Sequence, residues 1–241
     1  MIKRNKQWIA LALSVAAFLS LGLLLVKPEL EDYPAYLSHS PDRDGVKGVY
    51  MLLEQRGAEV KAWKKPWRQL PAVSGQTLLA VQPYSVSEEE QAELRKWLER
   101  GNKLILADGD PGARPFIPVS SAGPGQEPVQ AQLRQVLDLS APAQGALPAA
   151  VATDYRLHPK AGDTALLKDE LGVLAARTEV GQGSVTQLVA AEWLQNEHVL
   201  EHSHFELLHG LLPLAGETVW FDEYHHGLSE KPGVLAVYPG W

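Results

Sequence analysis

Residues 221–227 of the 241-residue chain read FDEYHHG. Asp222, Glu223, Tyr224, His225 and His226 place two carboxylates, a phenol and two imidazoles in consecutive positions. Imidazole exchanges protons near neutral pH, and imidazole with carboxylate can ligate a divalent ion. His225 and His226 are therefore candidate metal ligands, and the four ionisable acids and histidines are candidate acid–base groups. If the segment continued as a strand, Asp222, Tyr224 and His226 would face one side, and Glu223 and His225 the other. They converge only if the chain turns after Phe221. A purely structural reading stands beside the chemical one: the carboxylates accept backbone N–H groups, a histidine bridges the loop and Gly227 permits the turn.

A second polar stretch, SHSPDRDG at residues 38–45, supplies Ser40, Asp42 and Asp44. Placed near FDEYHHG, these residues would line one pocket with it. A third group is EHVLEHSHFELLHG, residues 197–210. At helical pitch His198, His202, Glu206 and His209 share a narrow arc, which reads as a solvated face. His204 falls among the leucines, so it is either a hydrogen-bonded core histidine or a group facing the pocket. KAWKKPWR (61–68) interleaves Lys61, Lys64, Lys65 and Arg68 with Trp63 and Trp67. It reads as tryptophans packed under lysine stems, or as a contact with lipid headgroups. GQGSV (181–185) reads as a hairpin turn rather than a phosphate loop, because no helix follows it.

Several classes are excluded. The chain has no cysteine, so disulfides, thiolate metal sites and a cysteine nucleophile are absent. No G-x-S-x-G element follows the strand LILAD. A net charge of -7 disfavours a nucleic-acid partner. No cofactor is expected.

The elements that must hold these residues follow from periodicity. Val46, Val49, Tyr50 and Leu53 have helical spacing, with Asp42 or Asp44 as cap and Gly57 as stop. AEVKAW (58–63), TLLAVQP (77–83) and NKLILADGD (102–110) read as strands. SVSEEEQAELRKWLERG carries a capping box at Ser87 and Glu90 and a buried stripe of Leu94, Trp97 and Leu98. A helix is predicted over 129–139 inside a Pro/Gly/Ala-rich insertion or long loop at 109–150. A hairpin is predicted over 172–191, a helix from Val199 to Leu212, and a last strand at 218–221. Helix and strand in this order predict a parallel sheet with helices on both faces. Ligands then bind at the carboxyl ends of the strands, where FDEYHHG lies.

The N-terminus carries Lys3, Arg4 and Lys6, then an uncharged run from Trp8 to Val26. Nineteen residues at 1.5 Å each reach roughly 28 Å, close to a bilayer core. The run ends LLLVKPEL without a small-x-small cleavage site, so an uncleaved single-pass anchor is expected. The charge bias places the N-terminus in the cytoplasm and the domain outside it.

The anchor, SxSPDxDGVKGVYMLLEQRGAEV, LLAVQP–SxSEEE–LRKWLERGNKLILAD, LGVLAARTEVGQGSV, QNEHVL–HFELLHGLL and VWFDEYHHG together resemble the domain-of-unknown-function 4350 family. The likeness covers nearly all of residues 1–227. It implies a membrane protein whose α/β domain is similar to class I glutamine amidotransferases, without their cysteine chemistry. Family members often continue into a second membrane helix; this chain ends VYPGW, leaving either a truncation or a missing helix. Families of this kind occur beside MoxR-type ATPases and transglutaminase-like membrane proteins.

The expected fold is thus α/β: an N-terminal transmembrane helix, then a parallel-sheet, flavodoxin/amidotransferase-like three-layer domain. The expected divisions are 1–27 (cytoplasmic tail and anchor), 28–40 (linker), 41–227 (α/β domain with the 109–150 insertion) and 228–241 (tail). The expected function is a membrane-anchored, non-catalytic module that binds a partner protein or small ligand in an envelope-associated system. The alternative is a metal-dependent or acid–base hydrolase built on FDEYHHG. Expected partners are the bilayer, through residues 8–26, and other envelope proteins.

Overall fold

The structure is a computed structural model that describes residues 8, 11–18, 20, 33–111, 116–122, 130–212 and 218–229. The chain divides into two units, Met1–Asp32 and Tyr33–Trp241.

The first unit does not sustain the expected anchor. Within 8–26, Trp8, residues 11–18 and Ser20 are helical; the other residues of that run lie outside the described ones. Among the described residues no helix is long and apolar enough to cross a membrane. The single-pass localisation, with the N-terminus inside and the domain outside, is corrected accordingly.

In the second unit the strands are β1 (Glu59–Trp63), β2 (Gln76–Val81), β3 (Lys103–Ala107), β4 (Val119–Ser121), β5 (Gln132–Asp138), β6 (Ala146–Val151), β7 (Tyr155–Leu157), β8 (Thr164–Lys168), β9 (Val173–Val180), β10 (Gly183–Leu188) and β11 (Thr218–Asp222). The helices are α1 (Lys47–Gln55), α2 (Glu88–Glu99) and α3 (His204–His209). The described strands form a single mixed sheet in the order β1-β11-β2-β3-β10-β9-β8-β5-β6, with β4 on β7 and β7 on β9. From β1 to β10 every neighbouring pair is parallel. Beyond β10 every pair is antiparallel.

This corrects the predicted fold class. The sheet is mixed and dominates the molecule; it is not a flavodoxin-like parallel three-layer domain. The error began in the segment read as an insertion. VQAQLRQVLDL places apolar residues at 133, 136 and 137, which suits a helix, yet Arg134, Val136 and Asp138 also alternate. Pairing decides the matter: β5 is matched to β6 from Gln132↔Val151 to Leu137↔Ala146. Arg134 then lies beside the carboxylates of Glu170 and Asp169. The predicted helix over 199–212 shrinks to α3. His202 takes a φ of 48°, and the Ser203 N–H is drawn to the Pro148 carbonyl at 3.0 Å, so the helix begins only after them.

The two faces of the parallel half follow from strand alternation. Leu79, Val81, Ile105, Ala107 and Leu188 face α1, α3 and Trp193. Leu78, Ala80, Leu104, Leu106 and Val185 face Leu94, Trp97 and Leu98 of α2, and Trp67. Burial of such side chains stabilises by roughly 1.5–3 kcal/mol each. The capping box of α2 forms as expected: Ser87 Oγ accepts the Glu90 N–H at 3.2 Å and Glu90 Oε2 accepts the Ser87 N–H at 3.3 Å. The predicted aspartate cap of α1 does not form. Its N-cap is Val46, and a distant Asn196 Oδ1 accepts the Gly48 N–H at 2.7 Å. The hairpin at 172–191 is β9 and β10, and its glycine is obligatory in this packing. A Cβ at Gly183 would stand 2.0 Å from the Asn102 carbonyl.

Candidate functional site

Five parallel strands, β1, β11, β2, β3 and β10, point their carboxyl ends to one edge. Asp222 is the last residue of β11. A single 3-10 turn, Tyr224–His226, follows and ends at Gly227 with φ 87°. The turn defeats strand alternation, so residues three apart meet.

Asp222, Glu223, His225 and His226 are all buried. Asp222 Oδ2 lies 2.8 Å from His225 Nδ1. The other side of that ring, Nε2, approaches Glu90 Oε1 at 3.4 Å. Glu90 Oε1 also accepts the Trp67 N–H at 3.2 Å, and Trp67 packs on His225 at 4.5 Å between centroids. Burial alone would push Glu90 up. The Ser87 hydroxyl and N–H, the His225 imidazole and the Trp67 N–H outweigh it, and its pKa is lowered. A chain of polar contacts thus ties β11 to the start of α2 and to the tryptophan turn.

Glu223 reaches the other way. Its Oε1 accepts the Ser38 N–H at 2.7 Å, and Oε2 lies 3.2 Å from His39 Nδ1. Its own N–H bonds to the Trp63 carbonyl at 2.9 Å. Tyr224 is half-buried with its ring edge-on to His225. His226 sits between Tyr36 and Tyr84, at 6.1 and 5.5 Å. Neither ring nitrogen makes a hydrogen bond of regular geometry. Burial lowers its pKa, opposed by Asp222 and by the nearby Val81 carbonyl.

The SHSPDRDG loop is close, through Ser38 and His39 rather than the residues singled out in it. Ser40 is buried and its hydroxyl accepts the Asp42 N–H at 3.2 Å. Asp42 is exposed, and its carbonyl accepts from Asn196 at 2.6 Å. The Asp44 carbonyl accepts the Tyr36 N–H at 2.9 Å. His204 is elsewhere. It stacks on Trp193 at 5.0 Å and 13°, and bonds to the His198 carbonyl and to Ala150 of β6. Trp63 and Trp67 of the basic stretch are buried, and Lys61 lies 5.3 Å over Trp220. His225 and His226 share no third ligand: among the described residues no group of three or more His, Asp or Glu is arranged to hold a metal ion.

An open cleft of about 850 Å³ lies beside this cluster, over the ends of β2 and β3 and against α2. Trp67, Tyr84 and Phe116 give it aromatic walls, and Asp108, Ser87 and Arg95 add polar groups. Arg95 stands 5.8 Å over the Phe116 ring. Asp108 is 5% exposed, and burial raises its pKa. One oxygen accepts the Asp110 N–H at 2.8 Å; the other has no hydrogen-bond partner among the described residues. Ser85, in the cleft wall, Gln82, just before it, and Tyr36, beside His226, have φ of 56°, 43° and 65°. Such conformations cost on the order of 1–3 kcal/mol each for non-glycine residues. Sequence reasoning did not identify Asp108, Tyr84, Tyr36 or Phe116. For Asp108, Tyr84 and Phe116 the signal was the carboxyl-end position after LLAVQP and LILAD, which was applied only to FDEYHHG; Tyr36 carries no such signal.

A family profile, Domain of unknown function (DUF4350), matches residues 38–212. The chain belongs to that family. The match ends before FDEYHHG. No curated protein matches the chain. The N-terminal domain of mmIFT52 is similar in fold at 16% identity and TM-score 0.54, covering 69% of this chain and 88% of that one. Cytoplasmic protein STM1381 of Salmonella typhimurium LT2 is similar at 10% identity and TM-score 0.50, covering 70% and 88%. An exo-beta-1,4-mannosidase from Opitutaceae bacterium strain TAV5 aligns at 19% identity and TM-score 0.41; 62% of this chain spans 28% of its length.

Proposed function

We infer that this protein is a non-catalytic binding module that takes a small molecule in the cleft between α2 and the ends of β2 and β3. The observation that carries this reading is Asp108. A desolvated carboxylate with one oxygen unengaged by the described residues, at an aromatic-walled cleft, is a place for a ligand's hydroxyl or amine. Trp67, Tyr84 and Phe116 suit a flat or weakly polar face on the same ligand. The strained backbone around Gln82 and Ser85 is consistent with a rim shaped for binding rather than for stability.

FDEYHHG supports the non-catalytic side of the reading. One oxygen of Glu223 is held by the Ser38 N–H and one of Asp222 by the His225 ring, while Glu223 Oε2 has only the His39 contact among the described residues. His225 is flanked by Asp222 and Glu90, and among the described residues no hydroxyl is hydrogen-bonded to its ring. The Ser87 hydroxyl contacts Glu90 and serves as a helix cap.

The test is ligand-observed NMR on the full chain with a library of small aromatic and polyhydroxylated molecules. Binders are expected to weaken at least about tenfold in Tyr84→Ala, whose side chain is exposed, and in Asp108→Asn. Binding unchanged in both variants overturns the reading, as does the absence of any binder.

A further inference from the structure

We propose that a second site, at the opposite end of the parallel strands, binds a phosphate group. A cavity of about 390 Å³ is lined there by Thr77, Lys103, Arg177, Ser184, Thr186 and His209. The strand register explains their meeting. Thr77 and Ser184 are both paired with Lys103, and Arg177 is paired with Thr186. Paired residues project from the same face of a sheet. The row Thr77, Lys103 and Ser184 runs across β2, β3 and β10 and meets the exposed Glu179 on β9; Arg177 and Thr186 lie two residues inward on the same face, level with Ile105 and Leu79. His209 closes the row from the last turn of α3.

Arg177 is the deciding residue. It is half-buried, and its one hydrogen bond among the described residues runs from Nε to Thr186 Oγ1 at 3.3 Å. That bond aligns the guanidinium and leaves both terminal nitrogens for another acceptor. It has no ion-pair partner among the described residues. The other arginines of this sheet do: Arg156 pairs with Asp169, and Arg134 with Glu170. A half-buried cation without an acid is costly unless an anion is supplied. On a chain of net charge -7, such a concentration of donors is not a general surface property. Glu179, opposite Ser184 in the register, is exposed.

The ligand class follows from the donors. Arg177, His209 and Lys103 bring N–H groups to the cavity, with the Ser184 hydroxyl beside them and the buried Thr77 and Thr186 behind; Thr77 and Lys103 also have contacts within the protein. The set exceeds what the two oxygens of a carboxylate can accept. The three or four oxygens of a phosphate group match it, with the Arg177 fork taking two. The volume suits a phosphate or small phosphoester. The inference does not depend on the cleft at the carboxyl ends of the strands.

The experiment uses the full chain and inorganic phosphate. Calorimetric titration and thermal melts are run at constant ionic strength, with chloride as control. Saturable binding and a phosphate-dependent rise in melting temperature are expected. Both should weaken at least tenfold in Arg177→Gln and in Lys103→Gln, the latter at an exposed position that does not threaten folding. Amide shifts on titration should centre on Thr186, Ser184 and His209. No saturable binding, equal binding in both variants, or shifts centred elsewhere overturn the proposal.

Discussion

Glu223 offers the sharpest test of how FDEYHHG is used. Its side chain is fully buried and holds the Ser38 N–H at 2.7 Å across 185 residues of sequence. Glu223→Ala would strand that buried donor and open a void. Breaking a buried charged interaction in this way costs about 3–5 kcal/mol. Glu223→Gln keeps an acceptor for Ser38 but loses the charge, and a cost of about 1–2 kcal/mol is expected. The contact with His39 contributes little, because the His39 side chain is 43% exposed and solvent screens it. His39→Ala should therefore cost under about 1 kcal/mol. Urea unfolding followed by tryptophan fluorescence measures all three, read as midpoint shifts at constant slope. If Glu223→Ala lies within about 0.5 kcal/mol of the parent, the carboxylate does not fasten the fold and the reasoning fails.

Other outcomes follow from the same contacts. Asp169→Ala should cost about 3–5 kcal/mol in the same unfolding assay, because it leaves the buried Arg156 guanidinium unpaired. Gly183→Ala should destabilise strongly or abolish folding, since its Cβ would meet backbone oxygens at 2.0 and 2.3 Å; a parental melting temperature would contradict this. His204 and His226 both have pKa values lowered by burial, so their neutral forms are favoured in the fold. A base whose folded pKa is depressed contributes stability above its unfolded pKa and loses it as pH falls below. Stability should therefore drop from about pH 6.5 downward, by at most about 1.4 kcal/mol per pH unit for each histidine. Asp108 and Glu192, whose pKa values are raised, oppose this trend at lower pH. His226→Gln should flatten the decline, and an unchanged pH profile would argue against the assignment.

The parallel half of the sheet was legible because its strands are continuous apolar runs between clear punctuation. LLAV and LILA are flanked by polar residues and glycine, and the Ser87–Glu90 box marks its helix without tertiary help. The antiparallel half was not. VQAQLRQVLDL satisfies both periods, and only the ladder with ALPAAV chooses between them. The site was half legible. The strand order placed FDEYHHG at the carboxyl edge of the parallel strands, where the structure also has it. What its side chains touch depends on Ser38, Trp67 and Glu90, which are distant in sequence. Glu90 was readable only as a helix cap, although its second oxygen reaches Trp67 and His225. Positive φ at Tyr36, Gln82 and Ser85 leaves no trace in residue type, since none is glycine.

The most direct test of the central claim is a crystallographic fragment soak of the full chain. The account predicts fragments in the cleft bounded by Trp67, Tyr84 and Phe116, with a donor on Asp108 and the FDEYHHG side chains unmoved. Fragments held by Asp222, Glu223, His225 or His226, with that cleft empty, would contradict it.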